Sequence, residues 1–289
     1  MRENKHSKKL VFAVLAAAAA VGATVAPVSA ANPVTEANGF VTAAVGDQAN
    51  QTPAAHNAVN YGFVANNSAT SIAVGQDNKI TSVTGSSSAY GNQNTVNGDQ
   101  ANAFGDGNTV EGAYAQAFGD SNVINGTHAI GYGYKNTVGE STSNFRDRDY
   151  DNEPDDATLR PGDWKTNSVA IGSENTALGS SALAVGNGSQ AKMSEAIAIG
   201  HAATAERTWS TAIGTRANAS EVRAQAIGYE AAAAGYKANA IGSGAKATGA
   251  HTNAIGSSAI ASGDHAQAYG AGAQAEGVRA NAFGSDAHA

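Results

Sequence analysis

Three aspartates have the spacing of a calcium-binding loop. Asp147, Asp149 and Asp151 follow the D-x-D-x-D pattern, in which alternate side chains supply oxygen ligands to Ca²⁺. A complete EF-hand loop would also carry glycine at its sixth position and glutamate at its twelfth, where this chain has Asn152 and Thr158. We therefore favour a solvated acidic loop and keep the weak calcium site as the alternative.

Two histidines, His251 and His265, lie 14 residues apart in a region that repeats with the same spacing. Such a pair could bind a metal ion. The other residues at this spacing are chemically mixed: Glu195, Trp209, Arg223, Lys237 and Arg279. An exposed mixed face is therefore favoured over a metal site, although the sequence leaves open whether that face binds a ligand.

Composition and motifs exclude several classes of function. The chain of 289 residues carries a formal charge of −7 and only 14 % charged residues, so it lacks the basic face of a nucleic-acid-binding protein. It has no cysteine and therefore no disulfide. Nucleophile-elbow, zinc-protease, P-loop and dinucleotide motifs are all absent. We predict no catalytic residue, no cofactor and no enzyme activity.

The second half of the chain is a strict repeat of 14 residues. A phrase of alanine, an apolar residue and glycine occurs nine times without a slip, and its glycines are Gly172, Gly186, Gly200, Gly214, Gly228, Gly242, Gly256, Gly270 and Gly284. With this glycine as position 0, small residues, mostly alanine, dominate positions 3, 5, 10 and 12. Alternation with period 2 indicates two short strands per repeat that share an alanine-lined face. The pattern predicts an all-β solenoid of 14-residue coils.

Position 13 carries an apolar residue in every repeat. It is one step from the alanine face, so it should point out of the coil. The resulting stripe would expose nine apolar side chains, which predicts a homo-oligomer with cyclic symmetry. The predicted trimer-interface residues are Ile171, Val185, Ile199, Ile213, Ile227, Ile241, Ile255, Tyr269 and Phe283. The alternative is that position 13 packs inside a monomeric coil.

Four segments are predicted along the chain. Residues 1–30 resemble a secretory signal peptide, with a basic start, an apolar core and the small residues Val28-Ser29-Ala30 before the cleavage point. Residues 31–138 carry degenerate repeats, residues 139–166 form an acidic insertion loop, and residues 167–289 carry the regular repeats. The degenerate repeats have their glycines at Gly46, Gly75, Gly91, Gly105, Gly119 and Gly131, with an irregular coil around Tyr61-Gly62.

Position 3 of the degenerate repeats is asparagine: Asn78, Asn94, Asn108 and Asn122. Stacked asparagines can form hydrogen-bonded ladders between coils. This structural role is favoured over a polar binding column.

The repeat resembles the YadA-like, haemagglutinin-type head of trimeric autotransporter adhesins. Asn167, Ser168, Val169, Ala170, Ile171 and Gly172 match the first six residues of the collagen-binding signature N-S-V-A-I-G-x-x-S, whose last serine is replaced by Asn175. The resemblance implies a left-handed parallel β-roll, a homotrimer, and attachment to an extracellular matrix protein such as collagen or to a cell-surface ligand. It also implies secretion to the bacterial surface and anchoring in the outer membrane through a C-terminal barrel beyond Ala289, so that this chain would be a partial head.

Other classes remain open. A non-adhesive surface scaffold cannot be separated from an adhesin by sequence. A β-solenoid enzyme would need a period of six residues or carboxylates and arginines gathered on one face, and neither is visible. An ice-binding solenoid would need regularly stacked threonines, which here occupy scattered positions.

Overall fold

The computed structural model describes residues 58–60, 65–66, 71–81, 86–139 and 167–289. Within these ranges the chain forms strands and turns and no helix. The predicted signal peptide, the glycine at Gly46 and residues 140–166 of the predicted insertion lie outside them.

Twenty-nine short strands follow one another along the chain. Their bounds are β1 Ala58–Asn60, β2 Ala65–Asn66, β3 Ile72–Gln76, β4 Lys79–Ile80, β5 Ser88–Asn92, β6 Thr95–Val96, β7 Asn102–Asp106, β8 Thr109–Val110, β9 Gln116–Asp120, β10 Val123–Ile124, β11 Ile130–Tyr134, β12 Thr137–Val138, β13 Val169–Ser173, β14 Thr176–Ala177, β15 Leu183–Asn187, β16 Gln190–Ala191, β17 Ile197–His201, β18 Thr204–Ala205, β19 Thr211–Ile213, β20 Asn218–Ala219, β21 Gln225–Ile227, β22 Ala232–Ala233, β23 Asn239–Ile241, β24 Lys246–Ala247, β25 Asn253–Ile255, β26 Ile260–Ala261, β27 Gln267–Tyr269, β28 Gln274–Ala275 and β29 Asn281–Phe283.

The strands build two parallel sheets that face each other across a narrow lumen. The odd-numbered strands form a sheet of 15 strands and the even-numbered strands a sheet of 14, each in chain order. Each coil therefore contributes one strand to each sheet, and identical positions stack, as in the pairing of Ala226 with Ala240 and of Ile227 with Ile241. The predicted all-β solenoid of 14-residue coils is confirmed.

Small side chains fill the lumen. Alanines at positions 3, 5, 10 and 12, such as Ala217, Ala219, Ala224 and Ala226, have no exposed surface. A lumen this thin buries little apolar area per coil. The main-chain ladders of both sheets therefore carry much of the cohesion between coils.

The coils are of two kinds. In the asparagine coils, position 3 is a buried asparagine, and position 5 is mostly isoleucine or valine, as in Ile80 and Val96. In the alanine coils, from Ala203 onward, position 3 is alanine. There the Ala217 N–H donates to the Gly214 carbonyl at 3.3 Å and closes a tight turn. In the asparagine coils a side chain replaces this turn bond.

The asparagine ladder runs without a break along the lumen. Each Nδ2 donates to Oδ1 of the preceding asparagine at 2.9–3.1 Å, through Asn78, Asn94, Asn108, Asn122, Asn136 and Asn175. Ser189 ends the ladder, because its hydroxyl donates to Oδ1 of Asn175 at 2.6 Å. The predicted ladder is confirmed, and a binding column is excluded because these side chains are buried.

The predicted repeat at Ala129-Ile130-Gly131 is wrong by two residues. Gly131 pairs with Ala117 of the preceding coil, whereas Gly133 pairs with Gly119 and takes position 0. Gly131 thus stands at a lumen position that is alanine in the neighbouring coils. The reason is its neighbour Ile124, whose Cδ1 fills the space that a Cβ at residue 131 would occupy.

The irregular coil near the start of the described region is also displaced from its predicted place. Ala58-Val59-Asn60, rather than Tyr61-Gly62, aligns with Ala73-Val74-Gly75. Asn60 therefore stands at position 0, without the glycine on which the sequence pattern depends.

Candidate functional site

An apolar stripe runs along the outer face of the larger sheet. All nine predicted position 13 residues from Ile171 to Phe283 point away from the lumen, and each is half-buried or exposed. The exposed fraction reaches 42 % at Ile171 and 67 % at Phe283. The alternative that position 13 packs inside the coil is therefore wrong.

The stripe is longer than the sequence indicated. The strand register extends it through Val59, Val74, Tyr90, Phe104, Phe118 and Tyr132. Aromatic rings stack within this added part, with centroids 4.9 Å apart for Tyr90 and Phe104 and 5.0 Å apart for Phe104 and Phe118. The six residues were missed because the repeats around them are irregular. Fifteen coils at ~4.8 Å each give a continuous stripe roughly 65 Å long.

A second apolar column widens the stripe in its middle. Position 11 is apolar at Ile130, Val169, Leu183 and Ile197 and also points outward. Farther along, position 11 becomes polar and forms its own ladder, in which Asn239 Nδ2 donates to Asn253 Oδ1 at 2.7 Å. The apolar surface is therefore two columns wide between residues 130 and 199.

The segment from Asn167 to Gly172 forms the start of strand β13. Ser168 and Ala170 lie in the lumen with no exposed surface, and the Ser168 hydroxyl donates to the Gly179 carbonyl at 2.6 Å. Asn167 is exposed and Val169 half-buried. Gly172 has φ +120°, a conformation that only glycine adopts readily. Within this segment the outward side chains are Asn167, Val169 and Ile171.

The predicted mixed column at position 9 is an exposed corner of the coil. Arg223 lies over the Trp209 ring at 4.7 Å, and Lys237 over the Tyr236 ring at 4.9 Å. The rings of His251 and His265 stack with centroids 5.0 Å apart. These side chains form one row of stacked cationic and aromatic groups.

Position 2 forms the other corner and carries the charged contacts. Arg216 and Glu230 form an ion pair at 2.9 Å between neighbouring coils. The hydrogen bond from Arg216 lowers the pKa of Glu230, and the same bond raises the pKa of Arg216. Earlier in the chain, the Tyr134 hydroxyl raises the pKa of Lys135, with smaller contributions from Glu174 and Asp120. All these groups are exposed, so the pairs add little stability.

Metal and membrane features are limited in the part of the chain that the structure covers. No three histidine, aspartate or glutamate side chains gather there as a metal-binding group. The calcium candidates Asp147, Asp149 and Asp151 lie outside the described residues. No described helix is long and apolar enough to cross a membrane. Threonine is less scattered than expected, because position 4 carries Thr95, Thr109, Thr137, Thr176 and Thr204, but Val123 and Gln190 interrupt the row.

The geometry defines the class of the protein. It is a parallel β-solenoid with 14-residue coils, a lumen of small residues and an apolar stripe on one outer face. Its chemistry is that of a surface that packs and stacks, rather than a cavity that encloses a substrate.

The comparison with known families agrees with this class. Residues 165–189, 191–217 and 210–231 match the YadA head domain repeat (2 copies). The predicted resemblance to the YadA-like head of trimeric autotransporter adhesins is therefore confirmed on these repeats, and the matched family consists of adhesin repeats rather than enzymes. No curated protein matches the chain.

Proposed function

We propose that the chain is the head of a trimeric autotransporter adhesin and attaches bacteria to extracellular matrix proteins, such as collagen, or to ligands on other cells. The observation that carries this proposal is the unbroken apolar stripe on coils that match the YadA head repeat. A monomer would leave that stripe in water, which soluble proteins rarely do.

Three parallel copies would bury the stripe around a three-fold axis. Every coil presents the same position 13 to the axis, so cyclic symmetry repeats the same contact at each level. The interface residues are the nine predicted from Ile171 to Phe283, joined by the six that extend the stripe to Val59. The second apolar column, from Ile130 to Ile197, would make the middle of the trimer its most apolar part.

Adhesion would come from repetition rather than from one strong site. Each coil offers a few exposed side chains, and many coils on three chains offer them repeatedly. Linked weak contacts can raise apparent affinity by ~10²–10⁴ through effective concentration. Extended fibres or cell surfaces suit such a surface better than small molecules.

The segment from Asn167 to Gly172 is the proposed ligand-binding segment. Because Ser168 and Ala170 are buried and Ile171 would face the trimer axis, Asn167 is its most accessible side chain. Asn167 would therefore contact the ligand, while the other residues shape the coil. The sequence further leads us to propose export through the signal peptide at residues 1–30 and anchoring in the outer membrane through a barrel beyond this chain.

A binding assay on immobilised collagen, fibronectin, laminin and whole cells tests the proposal. Variants that lack residues 215–228, 215–242 or 215–256 lose one, two or three whole coils and keep the register. Binding should fall stepwise as coils are removed, and Asn167→Ala should weaken it without lowering the melting temperature. No binding on any surface by a trimer would favour the non-adhesive scaffold instead.

A further inference from the structure

Each coil has two corners with the same unusual backbone. In the described residues, position 9 has φ between +54° and +61° in 11 coils, and position 2 has φ between +52° and +69° in 14 coils. The two corners lie on either side of the strand that carries the apolar stripe. Position 9 precedes that strand and position 2 follows it, as at Arg223 and Glu230 around β21.

The two corners use this backbone differently. A left-handed conformation costs roughly 1–2 kcal/mol for a residue with a side chain, so glycine would be favoured at both. None of the 11 residues at position 9 is glycine. Instead, six consecutive coils carry large side chains: Trp209, Arg223, Lys237, His251, His265 and Arg279. Stacking holds several of them in fixed positions, as with His251 on His265.

Position 2 of the same six coils is mostly small: Ala202, Arg216, Glu230, Gly244, Ser258 and Gly272. Four of these coils therefore combine a large residue at one corner with a small residue at the other. The degenerate coils follow the same rule, with Tyr114 matched by Gly107 and His128 by Ser121. Where position 9 is small, at Ser181, position 2 is the larger Glu174. One chain brings the two corners to opposite edges, so this size relation has no explanation within a monomer.

Simple geometry brings unlike corners together in a trimer. Packed sheet faces lie ~10 Å apart, so each face would stand ~5 Å from a three-fold axis. Three faces at that distance enclose a triangle with sides of ~17 Å, and five residues of strand, at ~3.3 Å each, span this length. Rotation about the axis places the position 9 edge of one chain beside the position 2 edge of the next, at the same level to within about half a coil.

We infer that the large side chains at position 9 of one chain pack over the small position 2 residues of a second copy, so that the corners interlock along the whole head. This inference rests on the proposed trimer and deepens it, because it adds a second interface to the apolar stripe. The interlock also sets the relative height of the three chains, which a uniform stripe of isoleucines leaves free to slide.

Charged coils fit the same arrangement. Lys237 would face Glu230 of the neighbouring chain, an attractive pair. Arg223 would face Arg216, but Arg216 is held by Glu230 at 2.9 Å and Arg223 is stacked on Trp209 at 4.7 Å. Both arginines are thus drawn along their own corner rather than toward each other.

Disulfide trapping tests the interlock, because the full chain has no cysteine of its own. The Ser258→Cys/His265→Cys variant places one thiol on each corner of the same coil, at two exposed positions. Mild oxidation should convert it into covalently linked trimers on a non-reducing gel. Ser258→Cys alone and His265→Cys alone should stay unlinked, because like corners do not meet in a three-fold ring.

Two controls separate this inference from the trimer itself. Ile255→Cys places a thiol on the stripe and should link chains in any trimer of the proposed kind. Lys246→Cys/His265→Cys places one thiol on the outer face of the smaller sheet and should not link. If Ile255→Cys links chains but the two-corner variant does not, the interlock is wrong and the trimer stands. If the single-corner variants link, the symmetry is wrong. If the chain sediments as a monomer and Ile255→Cys does not link, both proposals fail.

Discussion

The side-chain amide of Asn175 donates a hydrogen bond to Oδ1 of Asn136 at 3.1 Å, although 39 residues separate the two. Ile130 likewise pairs with Val169, 39 residues on, where other coils pair at a step of 14. The 25 additional residues therefore enter and leave the solenoid at one turn. The two sheets and the asparagine ladder continue across that turn in register.

The first prediction follows from this continuity. Replacing residues 140–166 with the two residues Gly-Asp, which occupy the same turn at Gly98-Asp99, should restore a 14-residue coil. The melting temperature followed by circular dichroism should stay within a few degrees of the original. Joining Val138 directly to Asn167 removes three positions of the turn and should lower the melting temperature clearly. Equal stability of the two deletions would contradict the pairing of β11 with β13 as neighbouring coils.

The asparagine ladder makes a second prediction. Asn122 donates to the Asn108 side chain at 2.9 Å and to the Gly133 carbonyl at 2.9 Å, and it accepts from Asn136. Asn122→Ala leaves these buried partners unpaired and should cost about 3 kcal/mol or more. Asn125→Ala, on the exposed surface of the same coil, should cost less than about 0.5 kcal/mol. Urea unfolding of both variants measures the difference.

A third prediction concerns Gly131 and Ile124. Gly131→Ala should destabilise the chain by about 1–3 kcal/mol, because its Cβ collides with Cδ1 of Ile124. Ile124→Val removes that methyl group and reproduces the valine found at Val110 in the preceding coil. The double variant should therefore be more stable than Gly131→Ala alone. A double-mutant cycle with no coupling would show that the two side chains do not compete for space.

The fourth prediction concerns the glycine at position 0. Gly228 has φ +137°, and a Cβ there would lie 2.5 Å from the Gly242 carbonyl oxygen. Gly228→Ala should therefore cost several kcal/mol, about 4 or more, since neither backbone can move without breaking the stack. Gly188→Ala is the matched control, because its φ is +65° and no atom lies within 4 Å of the added Cβ. It should cost only about 1–2 kcal/mol.

The fifth prediction tests the apolar stripe. Ile213→Asp, Ile227→Asp and Ile241→Asp together should abolish the proposed trimer, because buried unpaired carboxylates are costly. Since the lumen alanines are untouched, the β signal in circular dichroism should remain. Ser220→Asp, Ala234→Asp and Thr248→Asp add the same charge at position 6 of the same coils and should leave sedimentation unchanged. A stripe variant that still sediments as a trimer would contradict the interface.

Much of this architecture follows from the period of the sequence. The alternation of alanines predicted the lumen, and the position of Ile227 beside Ala226 predicted its outward direction. The asparagine column predicted the ladder. The repeat at Gly131 was misplaced because Ala129-Ile130-Gly131 imitates the motif by chance of local composition. Only the packing of Ile124 shows that a larger residue in one coil permits glycine in the next.

The corners were the least predictable part. A left-handed backbone at residues as large as Trp209 and Arg223 contradicts their intrinsic preference. Main-chain bonds between coils, such as that from the Arg223 N–H to the Thr208 carbonyl at 3.1 Å, override that preference. The sequence marks these residues as a mixed surface column but does not reveal the backbone that presents them.

Ser189, where the asparagine ladder ends, has a consequence for how such heads can evolve. Coding units of one coil can be duplicated or lost by slippage within the alanine coils, or within the asparagine coils, and the register of the stack is preserved. Exchange across Ser189 would place an asparagine against an alanine lumen and strand its amide. The molecule can therefore change its reach from the cell by gene rearrangement on either side of this serine, while the serine itself marks a junction that recombination cannot cross freely.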